Sequence, residues 1–197
     1  MTTRSVLAAL TLLAVAGAAV PAAAQQTAQP LGGPVIPGVC LLSREAVFAN
    51  AAAGKAASAR LQELAASAQT EIDAERQPLE AELRALESQP DNAARRQRAE
   101  ALAGQWQTLQ QKAAHAGQEV EATRAKAMER IANEAQPAIA QVYTAKSCGL
   151  LLDRNSALGG NFANDLTADV VQALDGRLST ITFERERLPQ AAAQPAR

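Results

Sequence analysis

Side chains that commonly perform catalysis or bind metals are scarce in this chain of 197 residues, which has one histidine and two cysteines. A zinc site normally takes four protein side chains, or three and a water, so the composition predicts no metal site and no cofactor. His115 has no serine, cysteine or carboxylate partner in a catalytic motif, and we interpret it as a solvated helix residue. Asp153 and Arg154 follow an apolar run, where a turn or an ion pair between chains is favoured. The sequence therefore predicts no catalytic residues and a protein that is not an enzyme.

The N-terminus has the pattern of a secretory signal peptide over residues 1–24. Arg4 precedes an uncharged apolar run from Val6 to Val20, and small residues follow up to Ala24. The firmly apolar part is shorter than the roughly 20 residues that span a bilayer, which disfavours the alternative of a membrane anchor. We therefore predict an exported protein that is cleaved after Ala24 and has no transmembrane segment in its mature chain.

The two cysteines, Cys40 and Cys148, point to a different chemistry, the formation of a disulfide bond. Export places them in an oxidising compartment, where two cysteines allow a single pairing within the chain. Each lies in or beside an apolar run that we predict to be a strand, so pairing of the strands would bring their Cα atoms within bonding range. We predict a disulfide between them, and the alternative is two buried free thiols.

The composition predicts long helices with a thin core. Hydrophobic residues make up 48% of the chain and are largely alanine, while aromatic residues make up 3%. Aromatic and large aliphatic side chains supply most of the area that a core buries, so this chain favours helices that pack thinly against each other. The net charge is −1, and residues 55–146 contain 12 basic and 13 acidic side chains. This balance argues against nucleic acid as a partner, because phosphate binding normally needs a concentrated basic face.

A segment rich in proline and glycine, residues 25–38, is predicted to be a disordered leader, and an apolar strand is predicted at residues 39–43. Residues 44–147 then show helical spacing of apolar residues, with a proline-containing break that divides them into two long runs. In the second run the apolar residues recur at alternating steps of three and four, the heptad spacing of a coiled coil. The sequence therefore predicts a hairpin of two antiparallel helices, which Pro78 and Pro137 bend or interrupt.

Shorter elements are predicted after the hairpin. Apolar and turn residues indicate strands at residues 150–153 and 156–159, and a helix at residues 165–178. Residues 179–183 alternate polar and apolar side chains, so they either add a strand to the sheet or prolong the helix, and the strand is favoured. Residues 184–197, with two prolines and three consecutive alanines, are predicted to be a disordered tail.

Strands at both ends of the hairpin predict a β body that is too small to bury its apolar faces alone. A chain that buries little of its own surface gains stability by oligomerising. We expect the shared core of the body to contain six residues: Val39, Leu41, Leu150, Leu152, Leu166 and Val170.

Three segments resemble the OmpH family of Skp-like periplasmic chaperones, and the order of elements matches across almost the whole mature chain. Residues 39–48 resemble the family's first strand and short helix, residues 150–153 its apolar strand ending in aspartate, and residues 165–170 the start of its closing helix. The resemblance implies a mainly α fold with a small β body, from which a long helical hairpin projects as a tentacle. It also implies a homotrimer with a central barrel built from the strands of three chains.

The same resemblance implies a function in the periplasm. It predicts an ATP-independent holdase chaperone, whose partners are unfolded outer-membrane proteins held in a cavity between the hairpins. Nonspecific binding of this kind leaves no motif, so the client-binding residues stay unassigned. Relatives are often strongly basic along the hairpin, and the balanced charge here predicts only a moderate salt dependence. The alternatives are a structural coiled coil or adaptor of the envelope, which would usually carry longer β domains, and a secreted enzyme.

Overall fold

The structure, a computed structural model, describes residues 31–189. The predicted signal peptide, residues 25–30 of the predicted leader and residues 190–197 of the predicted tail lie outside this range. The described chain is mainly helical and has four α-helices and a two-stranded sheet, and no helix within it is long and apolar enough to cross a membrane. Its elements are, in chain order, β1 (Val39–Leu42), α1 (Arg44–Asn50), α2 (Ala52–Glu87), α3 (Ala93–Ala145), β2 (Leu150–Asp153) and α4 (Thr167–Arg177).

Helices α2 and α3 form a long antiparallel hairpin. They have 36 and 53 residues, which at 1.5 Å per residue corresponds to lengths of roughly 54 and 80 Å. The turn between them ends at Asn92, whose side chain accepts a hydrogen bond from the backbone N–H of Arg95 and caps α3. The predicted hairpin segment, residues 44–147, also contains α1, which is separate from α2 because the backbone is extended at Ala51.

The two hairpin prolines leave their helices continuous. Pro78 lies inside α2 and Pro137 lies inside α3. A proline removes the hydrogen bond to the carbonyl group four residues earlier, which here belongs to residues 74 and 133. Both of these residues are exposed, so water can satisfy the freed carbonyl groups and the helices need not end.

A very close backbone approach occurs at Gly54, near the start of α2. A Cβ atom added there would lie 1.8 Å from the carbonyl oxygen of Phe48 in α1, so any side chain must push the two helices apart. We expect Gly54→Ala to lower the free energy of unfolding by about 2–3 kcal/mol.

The matched control for this substitution is Gly104→Ala on an exposed position of α3. A Cβ atom added at Gly104 meets nothing within 4 Å, and alanine favours a helix over glycine, so this variant should gain about 0.5–1 kcal/mol. Urea unfolding followed by circular dichroism measures both changes. Equal effects of the two substitutions would show that Gly54 is not constrained by α1.

The hydrophobic core lies where the sheet, α1 and α4 meet the root of the hairpin. Strands β1 and β2 pair in parallel, with Val39 opposite Leu150 and Leu42 opposite Asp153. Parallel neighbours need a long crossover connection, and the helical hairpin provides it. The most deeply buried core residues, at 1% exposure or less, are Ala51, Ala53, Ile131, Ala138, Val170 and Leu174.

Residues 156–159, predicted to be a strand, do not form one. A 3-10 turn at Arg154–Ser156 follows β2, and the side chain of Asp153 accepts a hydrogen bond from the backbone N–H of Asn155. This local bond favours the turn over an extended backbone. Beyond the turn, Leu158 is fully exposed.

The closing helix is shorter than the predicted segment, residues 165–178. It begins at Thr167 and ends at Arg177. Asp165 lies before the helix, where its carboxylate accepts a hydrogen bond from the backbone N–H of Thr167 at 2.9 Å.

The described part of the predicted leader has neither helix nor strand, but polar contacts hold it against the body. Asn161 donates a hydrogen bond to the carbonyl group of Gly33, and Asn164 donates to that of Ile36. Residues 33–38 therefore belong to the folded body rather than to a disordered leader.

Residues 179–189, which we call the strap, form neither the favoured strand nor an extension of α4. The edge of β1 away from β2 is occupied, because Leu41 donates to the carbonyl group of Asn164 and accepts from the N–H of Leu166. The strap instead lies extended along the hairpin. Residues 184–189, predicted to belong to a disordered tail, contact α2 and α3 through the bonds described below.

Candidate functional site

A disulfide bond joins Cys40 and Cys148 at the root of the hairpin, with a Cα–Cα distance of 5.9 Å. Cys40 lies in β1 and is 3% exposed, and Cys148 comes two residues before β2. The start of the parallel pairing brings them together, since the N–H of Gly149 donates to the carbonyl group of Gly38 at 2.7 Å. The bond spans 108 residues of sequence. It joins the segment before α2 to the segment after α3 and so holds the two ends of the hairpin together.

The six residues predicted to form a shared body fall into separate groups. Leu166 and Val170 are 2% and 0% exposed, so they belong to the core of the single chain. Leu150 and Leu152 of β2 are 50% and 45% exposed, and Leu151 between them packs against the core. The other two residues, Val39 and Leu41 of β1, are half-buried. Alternation along β2 therefore leaves an apolar outer face on the sheet.

Asp153 and Arg154 have structural roles within one chain. Asp153 shapes the turn after β2. Arg154 lies 3.0 Å from the carboxylate of Asp165, and its guanidinium group lies 5.5 Å from the centre of the Phe162 ring. The predicted turn is present after β2, and the ion pair of Arg154 lies within the chain rather than between chains.

A second site lies along the hairpin, where the strap occupies the groove between α2 and α3. The carboxylate of Glu119 in α3 is almost fully buried and lies 3.3 Å from Arg185 of the strap. Arg185 also lies 2.6 Å from Glu71 of α2, so this arginine connects the strap to both helices. His115 is four-fifths buried and lies 3.4 Å from Glu119, which corrects its interpretation as a solvated residue.

The pKa of Glu71 in α2 depends on its contact with the strap. A hydrogen bond from Arg185 lowers the pKa of Glu71 below its ordinary value. A carboxylate with a lowered pKa stabilises the docked state above its ordinary pKa, and this contribution is lost as the pH falls through the lowered value. Acid is therefore expected to weaken the contact between Arg185 and Glu71.

Hairpin side chains also bind the main chain of the strap. The hydroxyl group of Thr123 donates to the carbonyl group of Glu119 at 2.6 Å and accepts the N–H of Glu186 at 2.8 Å. The Glu119 carboxylate accepts the N–H of Leu188 at 3.3 Å. Two arginines donate to strap carbonyl groups, Arg60 to Phe183 at 3.2 Å and Arg130 to Thr182 at 3.4 Å.

Two cavities remain beside the strap. One of about 580 Å³ lies between α3 and the strap and is lined by Ala127, Arg130 and Phe183, among others. The other, of about 340 Å³, is lined by residues of both helices, including Glu71 and His115. The strap therefore leaves part of the groove unfilled.

No sequence motif marks Glu119 or Arg185, and neither residue was predicted to belong to a site. The available signal is the i,i+4 pair Glu119 and Thr123, because Thr123 occupies a position in the apolar seam and a buried polar pair requires partners. The strap residues that contact this pair, Arg185 and Glu186, lie more than sixty residues later in the sequence, in a segment predicted to be a tail. Local patterns therefore do not identify them. Within residues 31–189, no group of three or more His, Cys, Asp or Glu side chains is placed to hold a metal ion. The arrangement is suited to holding an extended polypeptide.

The fold defines a class of mainly helical proteins in which a long hairpin is rooted in a small parallel sheet. A family model described as "Outer membrane protein (OmpH-like)" matches residues 38–174. A crystal structure of an OmpH-like outer membrane chaperone from Caulobacter crescentus CB15 is 39% identical, with a TM-score of 0.72, and the match covers 81% of this chain and 96% of that chain. No match is found among curated protein sequences. The chain belongs to the OmpH family, which confirms the resemblance seen in its sequence.

Proposed function

We propose that this protein is an ATP-independent periplasmic holdase chaperone that binds unfolded outer-membrane proteins. The observation that carries the proposal is the thinly packed distal hairpin. Among residues 69–85 of α2 none is buried, and among residues 93–118 of α3 only Leu102 and Leu109 are buried. Such a surface offers many small side chains for weak contacts with chains of different sequence, which is what a holdase requires.

The proposed clients are chosen on chemical grounds. Strands of outer-membrane β-barrels alternate apolar and polar residues and expose unpaired edges in water, so the unfolded chains aggregate before they reach a membrane. The similar Caulobacter protein is described as an outer membrane chaperone. A predicted signal peptide cleaved after Ala24 and the disulfide at the hairpin root both support a periplasmic location.

We also propose that three chains associate through their β bodies. The exposed face of β2 carries Leu150 and Leu152, and the structure gives its outer edge no partner strand within residues 31–189. An exposed strand edge with apolar side chains is a template for pairing with another chain. Three hairpins rooted in one shared body would surround a cavity for the client.

The expected result is that the full mature chain suppresses aggregation of a urea-diluted porin without added nucleotide. Light scattering at a wavelength that proteins do not absorb follows the aggregation. Because the hairpin carries nearly balanced charge, suppression should depend only moderately on salt between about 50 and about 300 mM. Aggregation that proceeds unchanged in the presence of excess chain would contradict the proposal.

A shortened hairpin provides the matched control. Lys112 of α3 lies 2.7 Å from Glu75 of α2, so residues 76–111 can be replaced by a short glycine and serine turn at a point where the helices are close. This variant keeps the body and the strap contacts of Glu71, Glu119 and Thr123. It should lose most of the suppression, and equal suppression by the shortened chain would show that the distal hairpin is not the holding surface.

A further inference from the structure

The strap shows how the groove of the hairpin holds an extended polypeptide. Ile181 is 4% exposed and Phe183 packs beside the core, while Thr182 and Glu184 are exposed. This alternation is what an extended chain presents to a single surface. Arg185 continues the inward series and reaches Glu71 and Glu119.

Four of the contacts that hold the strap do not depend on its side chains. Hairpin side chains bind two of its carbonyl groups and two of its N–H groups. These groups are the carbonyls of Thr182 and Phe183 and the N–H groups of Glu186 and Leu188. Every residue except proline carries both kinds of group, so another segment in the same conformation would meet the same partners.

The polar groups of the groove restrict which segment can occupy it. Glu119 and Thr123 are 5% and 2% exposed with the strap in place, so a segment that covers them has to pair their polar groups, because buried unpaired polar and charged groups are costly. The occupant must supply one N–H group to Glu119 and one to Thr123. It must also place a cation between Glu71 and Glu119. These requirements define a segment with alternating apolar and polar residues that contains a basic residue.

We infer that this groove is a binding site for extended client segments and that the strap is their intramolecular competitor. The inference rests on the proposed function, since unfolded outer-membrane strands have the required alternation. The cavities of about 580 and about 340 Å³ beside the strap leave room for larger client side chains. A tethered strap acts at an effective concentration in about the millimolar range, so a client must displace it to enter.

A fluorescent peptide with the sequence of residues 179–189 tests the inference, with fluorescence anisotropy as the readout. The first protein variant ends at Leu178, and circular dichroism establishes that it remains folded without Ile181. The second variant, Arg185→Glu in the full chain, keeps Ile181 and places a like charge beside Glu71 and Glu119. Both should bind the peptide at least about tenfold more tightly than the unmodified mature chain, because the competitor is absent or weakened.

A pair of threonine variants in the chain that ends at Leu178 locates the peptide. Thr123→Val removes the hydroxyl group that accepts a strap N–H, and should weaken peptide binding about fivefold. Thr108→Val is the matched control, since the Thr108 hydroxyl donates to the carbonyl group of Gly104 four residues earlier on the same helix. It should leave peptide binding unchanged.

Displacement of the peptide by urea-diluted porin connects the groove to the client. Displacement from both strap variants, with loss of affinity in Thr123→Val, would support the inference. If the full chain holds porin in solution while the peptide binds neither variant, or binds without being displaced, the inference is overturned and the proposed function stands. If no variant holds porin but the peptide binds in a Thr123-dependent manner, the groove is supported as a peptide site and the chaperone function is overturned.

Discussion

Cys148→Ser is expected to lower the free energy of unfolding by about 4–5 kcal/mol, because it opens a covalent loop of 108 residues. The intact bond restricts the unfolded chain by holding both ends of the hairpin together. Cys148 is half-buried, so a serine hydroxyl group can reach water there and the loss reflects the missing cross-link. Urea unfolding at a fixed protein concentration measures the change, since association also contributes to stability.

Reduction of the unmodified protein is the control for this substitution. Reductant should lower its stability to about that of Cys148→Ser and should leave the variant itself unchanged. Peptide mapping of the exported protein without reductant should find Cys40 linked to Cys148. Two cysteines that are freely alkylated in the native protein would contradict the bond.

Aspartate substitutions at two adjacent leucines of β2 are expected to have different effects on folding and association. Leu152 is 45% exposed on the outer face of the sheet, so Leu152→Asp should leave the single chain folded and prevent its association. Leu151 packs against the core, so Leu151→Asp should destabilise the fold itself by about 3–5 kcal/mol, because it buries an unpaired charge. Light scattering gives the particle mass and circular dichroism gives the helix content.

Leu83→Asp is the matched control for the association. Leu83 lies in α2 near the distal end of the hairpin and is 44% exposed, almost the same as Leu152. The unmodified protein and this variant should both have three times the mass of the chain, and Leu152→Asp should have the mass of one chain. A trimer that survives Leu152→Asp would place the interface elsewhere.

Local patterns in the sequence were sufficient to predict the two long helices of the hairpin. The apolar spacing through residues 102–142 has the period of a helix surface, and each step involves neighbours only three or four residues apart. The structure has α3 there, capped by Asn92 and continuous through Pro137. A pairing between Cys40 and Cys148 was also available from the sequence, because two cysteines in an exported chain allow a single intramolecular bond. The family resemblance rested on three short segments and is confirmed.

The position of the strap was decided by the tertiary structure alone. Residues 179–189 have no repeating hydrogen bonds of their own, so their conformation depends on the partners that they meet. Those partners, such as Glu119 and Thr123, lie more than fifty residues earlier in the sequence. For the same reason Leu152 and Val170 are alike as apolar residues of the sequence, although the structure exposes the first and buries the second. An apolar residue in the sequence indicates that burial is favourable, whereas the packing of distant elements decides which surface covers it.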